Sequence, residues 1–288
     1  MQALEQKWVL SCIDGSYISD AVADYSAWIA GRVNSPLELV HSIEHSMLLE
    51  HTNRSGNLTP NMREHLSKTL AEDEQKESKA LIAAGKEMLE KAKSRIDGQA
   101  LKEVITRQRH GGVAEAIKDL EDEIRVLVIG VRGEDHETDE THIGAQIEET
   151  IRSLHRPIFI VNGAFKQPKS LMLAYNRSEG AEKALHMVAE SPLYRDMDVH
   201  VVTASDKPSE AKALLDKAGE TLKAAGFDPT LAHLEGDAQQ TLLDYQNQHD
   251  LDMTVIGAFN HGKLRSLFFG SFTLKMLANN RKPLLLIR

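Results

Sequence analysis

The chain passes through one order of elements twice, and this internal duplication limits its fold more than any other feature. In the first pass residues 7–13 (KWVLSCI) read as a buried strand, Asp14-Gly15-Ser16 as a turn, and residues 19–32 as an amphipathic helix. Strands are then expected at 36–42 (PLELVHS), 99–107 (QALKEVITR), 125–129 (RVLVI) and 157–161 (PIFIV). Helices are expected at 64–95, from Gly111-Gly112 to about 120, and at 145–154. After a short linker the order restarts, with strands at 170–175, 198–204, 229–234, 252–256 and 283–288. Helices fall at 179–189, at 209–225, and from Gly236-Asp237 to about 248, and a last one opens at Gly270-Ser271. Strand and helix in alternation imply crossover connections and a parallel sheet with helices on both faces, hence an α/β class. The expected domains are residues 1–162, a linker at 163–169, and residues 170–288.

The two passes differ in length. Asp14 and Gly130 lie 116 positions apart and Asn176 and Gly257 lie 81 apart, so the first carries about 35 extra residues. They fall in a helical excursion at about 46–95, which reads as a surface segment running into an extended helix. Its apolar Met47, Leu48 and Leu49 are candidates for docking a partner.

The chemistry gathers at residues 253–271 (MTVIGAFNHGKLRSLFFGS). A strand ends in Gly257, a polar and basic loop follows, and Gly270-Ser271 open a helix. Unpaired N–H groups and the positive end of a helix dipole favour an anion there.

On these residues the halves resemble the universal stress proteins in their tandem, two-domain form, over essentially the whole chain. Nucleotide-binding members carry an aspartate after the first strand and G-x-x-G, nine residues, G-[ST] after the fourth. The resemblance implies two five-stranded Rossmann-like sheets packed as a pseudo-dimer, with the last strands exchanging between halves. It also implies that the aspartate position meets adenosine while the glycines and Ser or Thr wrap ribose and phosphates.

Carried onto this chain, the second half keeps Gly257, Gly270 and Ser271 at the family spacing, with Asn260 in place of the second glycine and Asn176 in place of the aspartate. Asn tolerates positive φ, but its amide makes a weaker bond than a carboxylate. Lys263 and Arg265 stand in the loop beside the prospective phosphates. The expected nucleotide contacts are Asn176, the backbone at Thr203, Ala204 and Ser205, Gly257, Asn260, Lys263, Arg265, Gly270 and Ser271. The cofactor expected there is ATP with Mg.

The first half has the opposite defects. Asp14, Gly130 and Gly133 fit the pattern, but Gly144 comes one residue late and is followed by Ala145. Its loop holds five carboxylates, Glu134, Asp135, Glu137, Asp139 and Glu140. One like-charge pair at ~5 Å and an effective dielectric of ~20 costs about 3 kcal/mol, and several outweigh a helix terminus worth about 1 kcal/mol. No triphosphate is expected in this half.

Other classes find little support. The dehydrogenase motif G-x-G-x-x-G is missing from both first turns (DGSYIS and NRSEGA), and no P-loop occurs. Ser16 and Ser178 lack a nucleophile elbow and read as helix N-caps. His136 and His142 in the acidic loop, and His41 and His45, lack metal-site spacing, so no metal is expected. Cys12 reads as a buried, inert thiol. A net charge of −9 argues against non-specific nucleic-acid binding. The absence of a membrane-length apolar run and of an apolar leader points to the cytoplasm.

The chain thus reads as a stress-response protein that senses an adenine nucleotide, with at most weak ATPase activity. The alternative is a nucleotide-independent scaffold with both sites degenerate. Protein partners are unspecified, and association of the pseudo-dimer into a further homodimer stays open.

Overall fold

The computed structural model describes residues 7–43, 60–131, 145–257 and 271–288; the side chains of 60–74, 145–146, 271–272 and 274 are outside that description. Ten strands form one sheet in the order β3-β2-β1-β4-β5-β10-β9-β6-β7-β8. The first half supplies β1 (Trp8–Cys12), β2 (Leu37–Ile43), β3 (Val104–His110), β4 (Ile124–Gly130) and β5 (Ile158–Val161). The second supplies β6 (Ser170–Ala174), β7 (Asp198–Ala204), β8 (Thr230–Leu234), β9 (Met253–Gly257) and β10 (Leu284–Ile287). Neighbours within each half are parallel, and the halves meet where β5 and β10 pair antiparallel, Phe159 opposite Leu285.

The strands are apolar on both sides because both faces are covered. On one face the core gathers residues of α1 (Ser19–Val33), α2 (Pro60–Arg95), α5 (Glu179–Glu190) and α6 (Pro208–Ala224). On the other it gathers α3 (Val113–Asp119), α4 (Ala145–Ser153), α7 (Ala238–Gln248) and α8 (Ser271–Asn279).

The extra length of the first half lies before and within α2. Buried Gly85, Leu89, Ala92 and Ile96 repeat the spacing of Ala211, Leu215, Ala218 and Leu222 around α6. With His41 matched to Thr203, 44 positions separate His41 from Gly85 and 8 separate Thr203 from Ala211, a difference of 36. The part of the excursion at 46–59, with Met47, Leu48 and Leu49, lies outside the described residues.

Three expectations need correction. The third strand runs over Val104–His110 rather than 99–107, because Gly98 turns the chain at φ +85 and Leu101 packs on the core from a loop before pairing with β2 begins. The last strands do not exchange: β5 stays beside β4, β10 beside β9, and the two short, buried strands pair with each other, which removes both inner sheet edges. Ser16 does not cap α1; its buried Oγ has no hydrogen-bond partner among the described residues, and the helix begins three residues later at Ser19.

Candidate functional site

In an open parallel sheet a ligand crevice forms at the strand C-termini where the order reverses. In the second half this point lies between β6 and β9, since β6 has β9 on one side and β7 on the other. Asn176 follows β6 there. Its Oδ1 accepts from the Ser178 N–H at 3.1 Å, and the Ser178 Oγ accepts from the Ala181 N–H at 3.2 Å, capping α5 as expected. The residue between them, Arg177, is exposed and holds φ +61, a left-handed conformation costly for a side chain other than Gly.

Gly257 ends β9 directly against the first turn of α5. A Cβ there would fall on the backbone of Gly180 and Ala181, so strand and helix meet at a distance only glycine allows. One strand further out, the Thr203 Oγ1 donates to the Tyr175 carbonyl at 2.7 Å and is fully buried. The Ser205 N–H donates to the Leu234 carbonyl at 2.9 Å, and the Ser205 carbonyl meets the His233 Nε2 at 2.7 Å. The structure therefore brings Asn176 and Gly257 to the C-terminal ends of the neighbouring strands β6 and β9, while Thr203, Ala204 and Ser205 lie at the end of β7 on the other side of β6. Asn260, Lys263, Arg265 and Gly270 lie outside the described residues; Ser271 begins α8, with its side chain outside the description.

The first half repeats this frame with different contents. Asp14 Oδ1 accepts from the Ser16 N–H at 3.0 Å and from the Ser19 hydroxyl at 2.7 Å, and Ser19 Oγ accepts from the Gly15 N–H at 3.0 Å. Gly15, at φ +83, occupies the place of Arg177. His41 takes the place of Thr203 and meets the Ile13 carbonyl through Nδ1 at 2.8 Å, a structural engagement rather than a metal-ligand geometry. Helix α2 then closes over the turn: a Cβ on Gly15 would come within 2.7 Å of the Met88 methyl, and Gly85 packs directly on His41 and Gln108. Gly130 ends β4 as Gly257 ends β9. Gly133, Gly144, His45 and the acidic loop at 134–140 with its neighbour His142 lie outside the described residues.

Burial shifts two titratable groups beside these turns. Burial, with Asp14 adding to it, pushes the Cys12 thiol up to about 12, so no thiolate forms near neutral pH. Burial, then the 2.8 Å hydrogen bond to Glu182, pushes the Tyr175 hydroxyl above its ordinary range. Among the described residues no cluster of three or more His, Cys, Asp or Glu could hold a metal ion, and no helix is long and apolar enough to cross a membrane.

Sequence reasoning missed Arg177, Gly85 and Met88. The first was open to it, since the turns Asp14-Gly15-Ser16 and Asn176-Arg177-Ser178 align residue for residue; the helix contacts are non-local and leave no such signal.

The universal stress protein family model matches residues 7–162 and again residues 168–288. The chain is 28% identical to the universal stress protein Slr1230 of Synechocystis sp. (strain ATCC 27184 / PCC 6803 / Kazusa), over 98% of this chain and all of that one. A universal stress protein from Archaeoglobus fulgidus DSM 4304 has a similar structure, with a TM-score of 0.74 at 15% identity over 99% of each chain. Protein PA1789 from Pseudomonas aeruginosa PAO1 follows at a TM-score of 0.60 and 15% identity, over 98% of this chain and 92% of that one. At such identities the two structures share the fold with this chain.

Proposed function

The chain belongs to the universal stress protein family, carrying its fold twice in tandem, and on that basis we propose that the second half binds an adenine nucleotide, ATP with Mg, as a sensor without dedicated catalysis. The observation that carries this reading is the turn after β6. Asn176 keeps the bond that Asp14 makes to the N–H two residues on, and stands with Gly257 at the ends of β6 and β9. Asn176 faces adenosine with a neutral acceptor, and Arg177, Lys263 and Arg265 add positive charge around the anion. Asn260, Gly270 and Ser271 complete the cradle at the N-terminus of α8. The first half holds no triphosphate: Met88 packs on its turn, and the acidic loop repels phosphate.

A second reading, a scaffold that binds no nucleotide, draws on a separate observation. The Thr203 hydroxyl and both backbone groups of Ser205 are engaged within the protein, and close packing on Gly180 accounts for Gly257 without a ligand.

Calorimetric titration with ATP and Mg separates the readings. Binding is expected at millimolar ATP or below, lost in Gly270→Asp and tightened about 5- to 10-fold in Asn176→Asp, where a charge-assisted bond replaces a neutral one. Absence of binding at millimolar ATP leaves the scaffold.

A further inference from the structure

The two halves are related by a pseudo-twofold axis through the Phe159–Leu285 pair, and the surroundings of that axis are not equally filled. Val126 pairs with Val9 as Met253 pairs with Leu171, so Arg125 and Asp252 are counterparts. The match of Asp14 with Asn176 likewise makes Tyr25 and Met187 counterparts on α1 and α5.

On one side of the axis the linker covers this position. The Phe165 ring packs edge-on against Tyr25 at 4.8 Å, and the Lys166 backbone meets the Tyr25 hydroxyl at 3.3 Å. The Lys166 ammonium binds the Asp252 carboxylate at 2.6 Å. The occupant there is an apolar group next to a cation, set on an acid.

The linker crosses the seam on that side alone, and the other side holds a cavity of about 120 Å³. Val126, Phe159 and Leu285 form its floor, Met187 and Leu193 part of its wall, and Arg125 stands among its lining residues. The sign of the charge is reversed relative to Asp252. Arg125 donates from Nη1 to Ser35 Oγ at 3.1 Å and has no carboxylate partner among the described residues. At ~10–15 Å³ per water-sized atom the cavity holds roughly 8–12 non-hydrogen atoms.

We propose that this seam cavity is a binding site for a small apolar carboxylate, an arylalkanoic or medium-chain fatty acid of about ten non-hydrogen atoms, its apolar part between the halves and its carboxylate on the Arg125 guanidinium. The apolar part repeats the role of Phe165, and the carboxylate answers a planar cation suited to bidentate pairing. The site lies beside the first residues of β4 and β5; because the halves run antiparallel this is the sheet edge at which β9 ends, but β5 and β10 stand between Val126 and Gly257, and the assignment does not rest on the nucleotide reading.

Phenylacetate and octanoate, with phenylacetamide and octanamide as uncharged counterparts, are titrated into the full chain and followed by ligand-observed NMR and calorimetry. The acids are expected to bind at millimolar concentration or below and at least tenfold more tightly than the amides. Arg125→Gln is expected to remove that preference, and Val33→Trp, which fills the cavity from its half-buried edge, to abolish binding. Circular dichroism of both variants checks that they fold. No binding of either acid at 10-fold this range (about 10 mM), equal binding of acids and amides, acid binding unchanged in either folded variant, or displacement of the acids by ATP would each overturn the assignment.

Discussion

At the scale of single residues, Gly257 carries two explanations, and they predict different things. A phosphate cradle needs its flexibility for a ligand, whereas the structure needs its missing side chain so that β9 can lie against Gly180. The second applies with or without nucleotide. Gly257→Ala is therefore expected to destabilise the protein by about 2–3 kcal/mol, as overpacking against backbone does, when measured by urea unfolding without ATP. A change below about 0.5 kcal/mol would return the glycine to a purely ligand-binding role. The sequence made Gly257 visible as the end of an apolar run before a loop, but not its reason, because Gly180 lies 77 positions earlier and touches it only through the fold. Arg177 is the converse: its left-handed backbone could be read from the alignment with Gly15, since the two turns share their flanking Asx and Ser residues.

At the scale of elements, the linker is a structural part rather than a tether. Burial alone would raise the Asp252 carboxyl, but the Lys166 ammonium and the Lys169 N–H outweigh it and hold the group below the ordinary carboxylate range. A depressed carboxyl stabilises the fold above its unfolded value of about 3.9 and loses that contribution as the pH falls through its folded value. Asp252→Asn is expected to cost about 1–3 kcal/mol at pH 7 and progressively less below about pH 4, in unfolding measured across pH. A cost independent of pH would mean that the carboxylate charge plays no part. Sequence periodicity placed the linker between two strands and could not show its contacts, since Asp252 lies 86 positions beyond Lys166. The same limit applied to β3: Leu101 looked like strand because it is apolar, but it packs on the core from the loop, while the polar Gln108–His110 end was left outside the expected strand.

At the scale of the whole molecule, the duplication foretold nearly all of the architecture because strand and helix alternate with strong apolar patterning in both halves. It could not foretell how the halves join. Each half ends in a four-residue buried strand, and whether such strands exchange or abut depends on edges that only the folded sheet presents. They abut, so the seam is a shared core: Phe159 is fully buried and packs on Tyr25 and Trp28 at ring separations of 5.2 and 6.4 Å. Phe159→Ala is expected to cost about 3–5 kcal/mol and to leave a single transition in urea, since both halves contribute to one sheet. Two separated transitions in the parent protein would show that the halves fold independently. The shared frame also makes the functional asymmetry a matter of contents. Both halves keep the turn and the strand-ending glycine; the first covers its turn with Met88, and the second carries Arg177 there. Photolabelling the intact chain with 8-azido-ATP, followed by mass-spectrometric mapping of the labelled peptide, tests that division most directly. The label is predicted on peptides of the second half near Asn176 or within 257–271, removable by excess ATP; competable label on the first half near Asp14 or within 130–144 would contradict the account.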